Sequence, residues 1–319
     1  MSTRPSAGID PLPVEGRLPG FDGATGWLNT GPLTTDGLRG RVVLVDFWTL
    51  TCINWLRTLG YVRAWAERYR GAGLVVVGVH TPEFPFEGDA ENVRRSVASL
   101  NVPYPVAIDS GYEVWRAFAN HYWPAVYTAD VEGRIRFHHF GEGAYDQCEL
   151  VIRRLLGEGG LRPPGDGLVS IEPAGVEAQA DWTHLESPET YLGSEQGRNL
   201  ADSGDALPLN HWALAGDWAI EPRACVLNGP SGRILFRFHA RDVNLVLRSR
   251  EGTPLPFRVL VDGQPPGNAR GVDVDNDGNG VLVEPRLYQL IREPGEIVDR
   301  TFEIAFDAPG AEAYVFTFG

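Results

Sequence analysis

The stretch VVLVDFWTLTCINWLRTLG, residues 42–60, decides how this chain folds. It opens with a β-branched run, Val42, Val43 and Val45, closing on Asp46-Phe47-Trp48, the pattern of a buried strand. A short turn leads to Cys52, and behind it Ile53, Leu56, Leu59, Val62, Trp65 and Tyr69 recur at helical spacing. The reading is a strand that delivers Cys52 to the N-terminus of an amphipathic helix. Unpaired N–H groups and the positive end of the helix dipole favour the thiolate there, so Cys52 is expected to be a nucleophile.

The Val-Asp-Phe-Trp run with a cysteine four residues on resembles the active-site strand of thioredoxins, and more closely that of TlpA- and DipZ-type redoxins. In that family the motif reads Cys-x-x-Cys; here it reads Cys52-Ile53-Asn54-Trp55. Trp55 stands where the resolving cysteine would be. The resemblance implies that Asp46 is the buried acid that helps move protons. It also implies that Pro124, after Trp123, is the cis-proline facing the cysteine, whose backbone holds an extended substrate. Gly60 falls where the family carries a helix-kinking proline.

Outward from this stretch, residues 1–160 alternate strands with helices: LVVVGVH (74–80), a helix near 87–100, YPVAID (104–109) and a helix around 112–118. The runs AVYTAD (125–130) and RIRFHHF (134–140), joined by Val131-Glu132-Gly133, read as a hairpin. A final helix near 145–156 follows, with Leu150, Val151, Leu155 and Leu156 on its apolar side. Glycine and proline density in GEGGLRPPGDG suggests a linker, set at 161–180. Beyond it, strand-like runs alternate with turn clusters over 181–319. The fold class expected is an α/β thioredoxin-like fold followed by an all-β sandwich, jelly-roll-like, as in the C-terminal portion of DipZ-type proteins.

With 28 basic against 42 acidic side chains and a net charge of −14, the chain lacks the basic surface that nucleic acid or anionic membrane requires. The polar, proline-rich N-terminus has no signal-peptide core, and no run approaches the ~20 apolar residues that span a bilayer. A cytoplasmic location is expected, consistent with three widely spaced cysteines, Cys52, Cys148 and Cys225.

Around Cys52, the residues expected to line the site are Thr49, Asn54, Trp55, His80, Glu83 and Trp123. His80 ends a long strand at the sheet edge where open α/β sheets place their crevices, and as an imidazolium it would favour the thiolate. Against this stands an ordinary strand-end histidine. Arg57 reads as a solvated or salt-bridged surface residue. DVDNDGNGVLVE (273–284) matches a calcium-loop pattern with Asp273, Asp275, Asp277 and Glu284 as would-be ligands. No helix can form before it, so the plainer reading is a turn between strands. Trp182, Trp212, Trp218 and Tyr288 offer either sugar-stacking surface or core.

One cysteine limits the chemistry. Cys52 can form a mixed disulfide but cannot release it internally, so an external thiol must. The expected function is a thiol oxidoreductase acting on a disulfide substrate and needing no cofactor. The alternatives are a one-cysteine peroxidase, with Thr49-x-x-Cys52 as its weak signal, and a non-enzymatic redox sensor binding a carbohydrate or protein through its β domain.

Overall fold

A computed structural model describes residues 12–319, which divide into two units, the first ending at Glu172 and the second Pro173–Gly319. In the first, β1 (Gly16–Arg17) and β2 (Gly26–Leu28) precede β3 (Val42–Trp48), α1 (Ile53–Arg70) and β4 (Leu74–His80). Then come α2 (Ala90–Ser99), β5 (Val106–Ile108), α3 (Glu113–Ala117), the hairpin β6 (Ala125–Ala129) and β7 (Arg134–Phe140), and α4 (Tyr145–Glu158). Among the described residues one sheet runs β1-β7-β6-β3-β4-β5-β2, with β3, β4 and β5 parallel and β6 and β7 antiparallel.

Central position explains the sequence of β3. Flanked by β4 and β6 and covered on both faces, all seven of its residues are buried, which is why it reads as a continuous apolar run. Residues 46 and 48 share the face that receives α1, and the parallel register sets them beside Gly78 and His80 of β4. In α4, Val151, Leu155 and Leu156 are buried as expected, whereas Leu150 is exposed and lies off the apolar stripe.

The expected linker begins later than its composition suggests. Arg68 donates to the carbonyls of Pro164 and Gly167, Arg153 to that of Gly165, and the Val169 N–H donates to Glu149 at 2.8 Å. Two arginines and a buried carboxylate thus bind the backbone of a segment that glycine and proline alone would leave free.

The second unit contains β8 (Thr190–Tyr191), β9 (Trp212–Ile220), β10 (Cys225–Phe238), β11 (Asp242–Ser249) and β12 (Leu255–Val261). These are followed by β13 (Asn279–Leu282), β14 (Arg286–Arg292), β15 (Arg300–Phe306) and β16 (Ala311–Phe318). Its named strands pair antiparallel, as expected, but as one connected ladder, β13-β12-β15-β10-β16-β11-β14, rather than two separate sheets. The long β10 makes this continuity, pairing with β9, β15 and β16 along its length. Its alternation buries Ile234, Phe236 and Phe238 in the core. Trp212 and Tyr288 are core residues and Trp218 packs against that core, so of the four aromatics proposed for sugar stacking only Trp182 is exposed.

Candidate active site

Leaving β3 at Trp48, the chain turns through Thr49–Thr51, and the Cys52 N–H donates to the Thr49 carbonyl at 3.3 Å. The Cys52 carbonyl accepts the first helical bond, from Leu56 N–H at 3.0 Å, while its own φ of −72° and ψ of 109° remain extended. Cys52 is therefore the N-cap of α1, half-buried. No acidic residue occupies the first turn to oppose the dipole.

One helical turn on, Trp55 is fully buried. Its indole stacks on Trp48 with ring centroids 4.2 Å apart and an interplanar angle of 17°. Its Nε1–H donates to Asp46 Oδ2 at 2.9 Å, an oxygen that the Tyr104 hydroxyl approaches at 3.5 Å. Gly78 makes room, since a Cβ there would meet Trp48 Nε1 and the Tyr104 ring at 3.0 Å. Trp55 is thus a packed, hydrogen-bonded core indole one helical turn after Cys52.

Burial pushes the Asp46 carboxyl up from 3.8 to about 7, with the hydrogen bonds from Trp55 and Tyr104 pulling the other way. His80 lies edge-on to Trp48, 4.6 Å between centroids, and is wholly buried. Desolvation pushes it down to about 3, so it is neutral near pH 7 and does not supply the expected imidazolium. The peptide between Trp123 and Pro124 is cis. Pairing of Ala125 with Phe47 sets this turn at the end of the sheet where β3 releases the chain toward Cys52. Asn54 is half-exposed, its carbonyl accepting from the Thr58 hydroxyl at 2.8 Å.

Two charged residues behave otherwise than their sequence setting suggests. Arg57 is 2% exposed and pairs at 3.0 Å with Glu142, itself 8% exposed, instead of lying at the surface. The carboxylate that reaches the Cys52 loop is Glu87 rather than Glu83: it accepts from both the N–H and the hydroxyl of Thr51. Glu83, half-buried, contributes its backbone N–H to that same carboxylate. The available signal was Glu87's place three residues after Phe84, in a 3-10 turn (Pro85–Gly88) where a glutamate reaches back to the preceding N–H.

The other cysteines are poorly suited to resolve Cys52. Cys148 in α4 is buried, and burial pushes its thiol up to about 12. Cys225, buried in the second unit and likewise pushed up to about 12, donates its Sγ–H to the Leu192 carbonyl. None of the three cysteines is in a disulfide.

The calcium pattern is not assembled as a site. Asp273 pairs with Arg286 at 2.6 Å and accepts the Gln289 N–H, while Asp275 accepts the backbone N–H groups of Asp277 and Asn279. Asp275 thus serves the turn into β13, and Asp273 ties to β14. Among the described residues no three His, Cys, Asp or Glu side chains gather as a metal would require, and no helix is long and apolar enough to cross a membrane.

Comparison with known proteins gives likenesses for both units. A family model described as "Thioredoxin like C-terminal domain" matches residues 187–319. Protein DipZ of Mycobacterium bovis and that of Mycobacterium tuberculosis are each 36% identical over 277 residues, covering 82% of this chain. The chain spans 38% of the length of those relatives. Thiol-disulfide oxidoreductase YkuV of Bacillus subtilis is 29% identical over 142 residues, 44% of this chain and 95% of the relative. A thioredoxin-like protein solved in its oxidised form aligns at 28% identity and a TM-score of 0.42, covering 46% of this chain and 97% of that one.

Proposed function

We propose that this thioredoxin-like chain, with relatives among the thiol–disulfide oxidoreductases, exchanges disulfides through Cys52 alone. The Cys52 thiolate attacks one sulfur of a disulfide, the second sulfur leaves as a thiolate that takes a proton from water, and Cys52 is left in a mixed disulfide. An external thiol attacks that bond, regenerates Cys52 and carries away the substrate half as a new disulfide. A reducing compartment would supply such a thiol. The observation that carries the reading is Trp55, buried against Trp48 and bonded to Asp46 where an internal thiol would have to stand.

Mass spectrometry tests it directly. Incubated with a disulfide peptide, the wild-type chain is expected to gain one peptide half on Cys52 and to keep it after the peptide is removed. Glutathione then discharges it. The Cys52→Ser variant should gain nothing. Spontaneous loss of the adduct without added thiol would show that an internal group resolves it. A sulfenate formed with peroxide, in place of the peptide adduct, would transfer the reading to the peroxidase.

A further inference from the structure

We infer that Glu87 is a positioning residue for Cys52, holding the loop that carries the thiol in place at the helix N-terminus. Its carboxylate is fully buried and collects four donors from two separate segments. Oε1 accepts the Thr51 N–H at 3.1 Å and the Thr51 hydroxyl at 2.7 Å. Oε2 accepts the N–H groups of Glu83 at 2.7 Å and Phe84 at 2.8 Å.

Stereochemistry makes the carboxylate hard to replace. Two donors converge on each oxygen, so both ends must be acceptors, which only an ionised carboxylate provides. A glutamine offers one oxygen, and its amide turned toward either segment faces two N–H or O–H groups. Burial pushes the Glu87 carboxyl up, and the hydrogen bonds from Phe84, Thr51, Thr49 and Glu83 pull the other way.

The second segment is itself fastened to the sheet. The Thr81 N–H donates to the Trp48 carbonyl at 3.0 Å, and its hydroxyl donates to Asp109 at 3.1 Å. Asp109 in turn accepts the N–H groups of Val114 and Trp115. Glu87 thus joins the residue immediately before Cys52 to a turn anchored on β3 and on the start of α3. Without it, Thr51 loses the acceptor for both its N–H and its hydroxyl, and the backbone entering α1 is free to carry the sulfur off the helix axis. The favourable dipole interaction falls off within the first turn, so a small displacement reduces it.

This inference rests on Cys52 being the reactive group but not on disulfide exchange, and iodoacetamide alkylation reads it independently of any substrate. The rate constant is measured against pH for wild type, Glu87→Gln and Glu149→Gln. Glu149 is an equally buried carboxylate in α4, accepting from Trp65 and the Val169 N–H, and has no contact with the Cys52 loop. Glu87→Gln is expected to slow alkylation near pH 7 about two- to fivefold, the scale of a lost helix-terminus interaction, and to move the midpoint of the profile upward. Glu149→Gln lowers the Tm but keeps the wild-type profile.

An unchanged or downward midpoint in Glu87→Gln overturns the inference, the downward case because charge removal alone would then explain it. Equal slowing in Glu149→Gln overturns it as well. If Glu87→Gln does not fold, Thr51→Val decides: losing one donor should slow alkylation in the same direction, and a wild-type profile is the contrary result. Slowed alkylation in a protein with no exchange activity would sink only the proposed function.

Discussion

Trp55→Cys is expected to give this chain an insulin reductase activity at least about tenfold above wild type, because an internal thiol attacks a mixed disulfide at an effective concentration no solution thiol reaches. The rest of the machinery stands ready: Cys52 at the helix N-cap and Asp46 below, its Oδ2 now bonded to the Trp55 indole. In the variant that oxygen would face the introduced thiol. Burial raises the Asp46 carboxyl well above the ordinary carboxylate range, which suits it to take a thiol proton. The substitution also removes a fully buried indole, its stacking on Trp48 and one donor to Asp46. Truncating a tryptophan in a core costs about 3–5 kcal/mol, so the gain should come with a clear fall in Tm. Turbidity of reduced insulin with dithiothreitol, together with a thermal melt, measures both. Wild-type activity equal to the variant's would mean that an internal thiol adds nothing to the resolution of the Cys52 mixed disulfide. A variant that joins its two thiols in a disulfide yet stays inactive would favour a sensing or binding role.

The strand, the turn and the helix around Cys52 were legible in the sequence because their signal is local. β-branched residues in β3 and apolar residues at helical spacing in α1 announce themselves over twenty positions. The hairpin β6–β7 followed from its strand pattern, and the cis turn at Pro124 from the resemblance to thioredoxins. Glu87 was legible only through its spacing after Phe84; its reach to the Thr51 N–H and hydroxyl joins two turns whose approach no periodicity encodes. Arg57 and His80 misled for a related reason: burial is set by what packs over a residue, here Glu142 for one and Trp48 for the other. Arg68 and Arg153, ordinary helical arginines by pattern, bind carbonyls about a hundred and about a dozen residues away and delay the linker. In the second unit, alternation located the strands, but connecting them into one ladder depended on β10 pairing with three partners. In the acidic run at 273–284 Asp275 serves a turn and Asp273 an ion pair with Arg286, in keeping with the plainer reading of a turn between strands.

Replacing Asp46 with asparagine should remove a pH dependence that the wild type carries in its core. The folded carboxyl stands at about 7 against 3.8 in its ordinary state, because a fully buried anion is poorly solvated beside Trp55, Trp48 and Tyr104. The group is raised, so its favourable contribution is complete below 3.8, where both folded and unfolded chains hold the proton. As pH rises from 3.8 to about 7 the unfolded chain releases the proton first. Unfolding is then increasingly favoured, and the contribution is gone above about 7. Asparagine keeps an acceptor for the Trp55 N–H but has nothing to ionise. The stability of Asp46→Asn relative to wild type should therefore climb across that interval, by roughly 4 kcal/mol for an interval of this width, and level off beyond it. Glu87 and Glu142, whose buried carboxyls are also raised, are present in both proteins and cancel in the difference. Urea denaturation at pH steps between 4 and 8 gives the curve. A difference that stays flat would mean Asp46 is ionised in the folded chain throughout. The indole would then bind a full carboxylate charge, and Asp46 would have no proton near neutral pH to exchange with an introduced thiol.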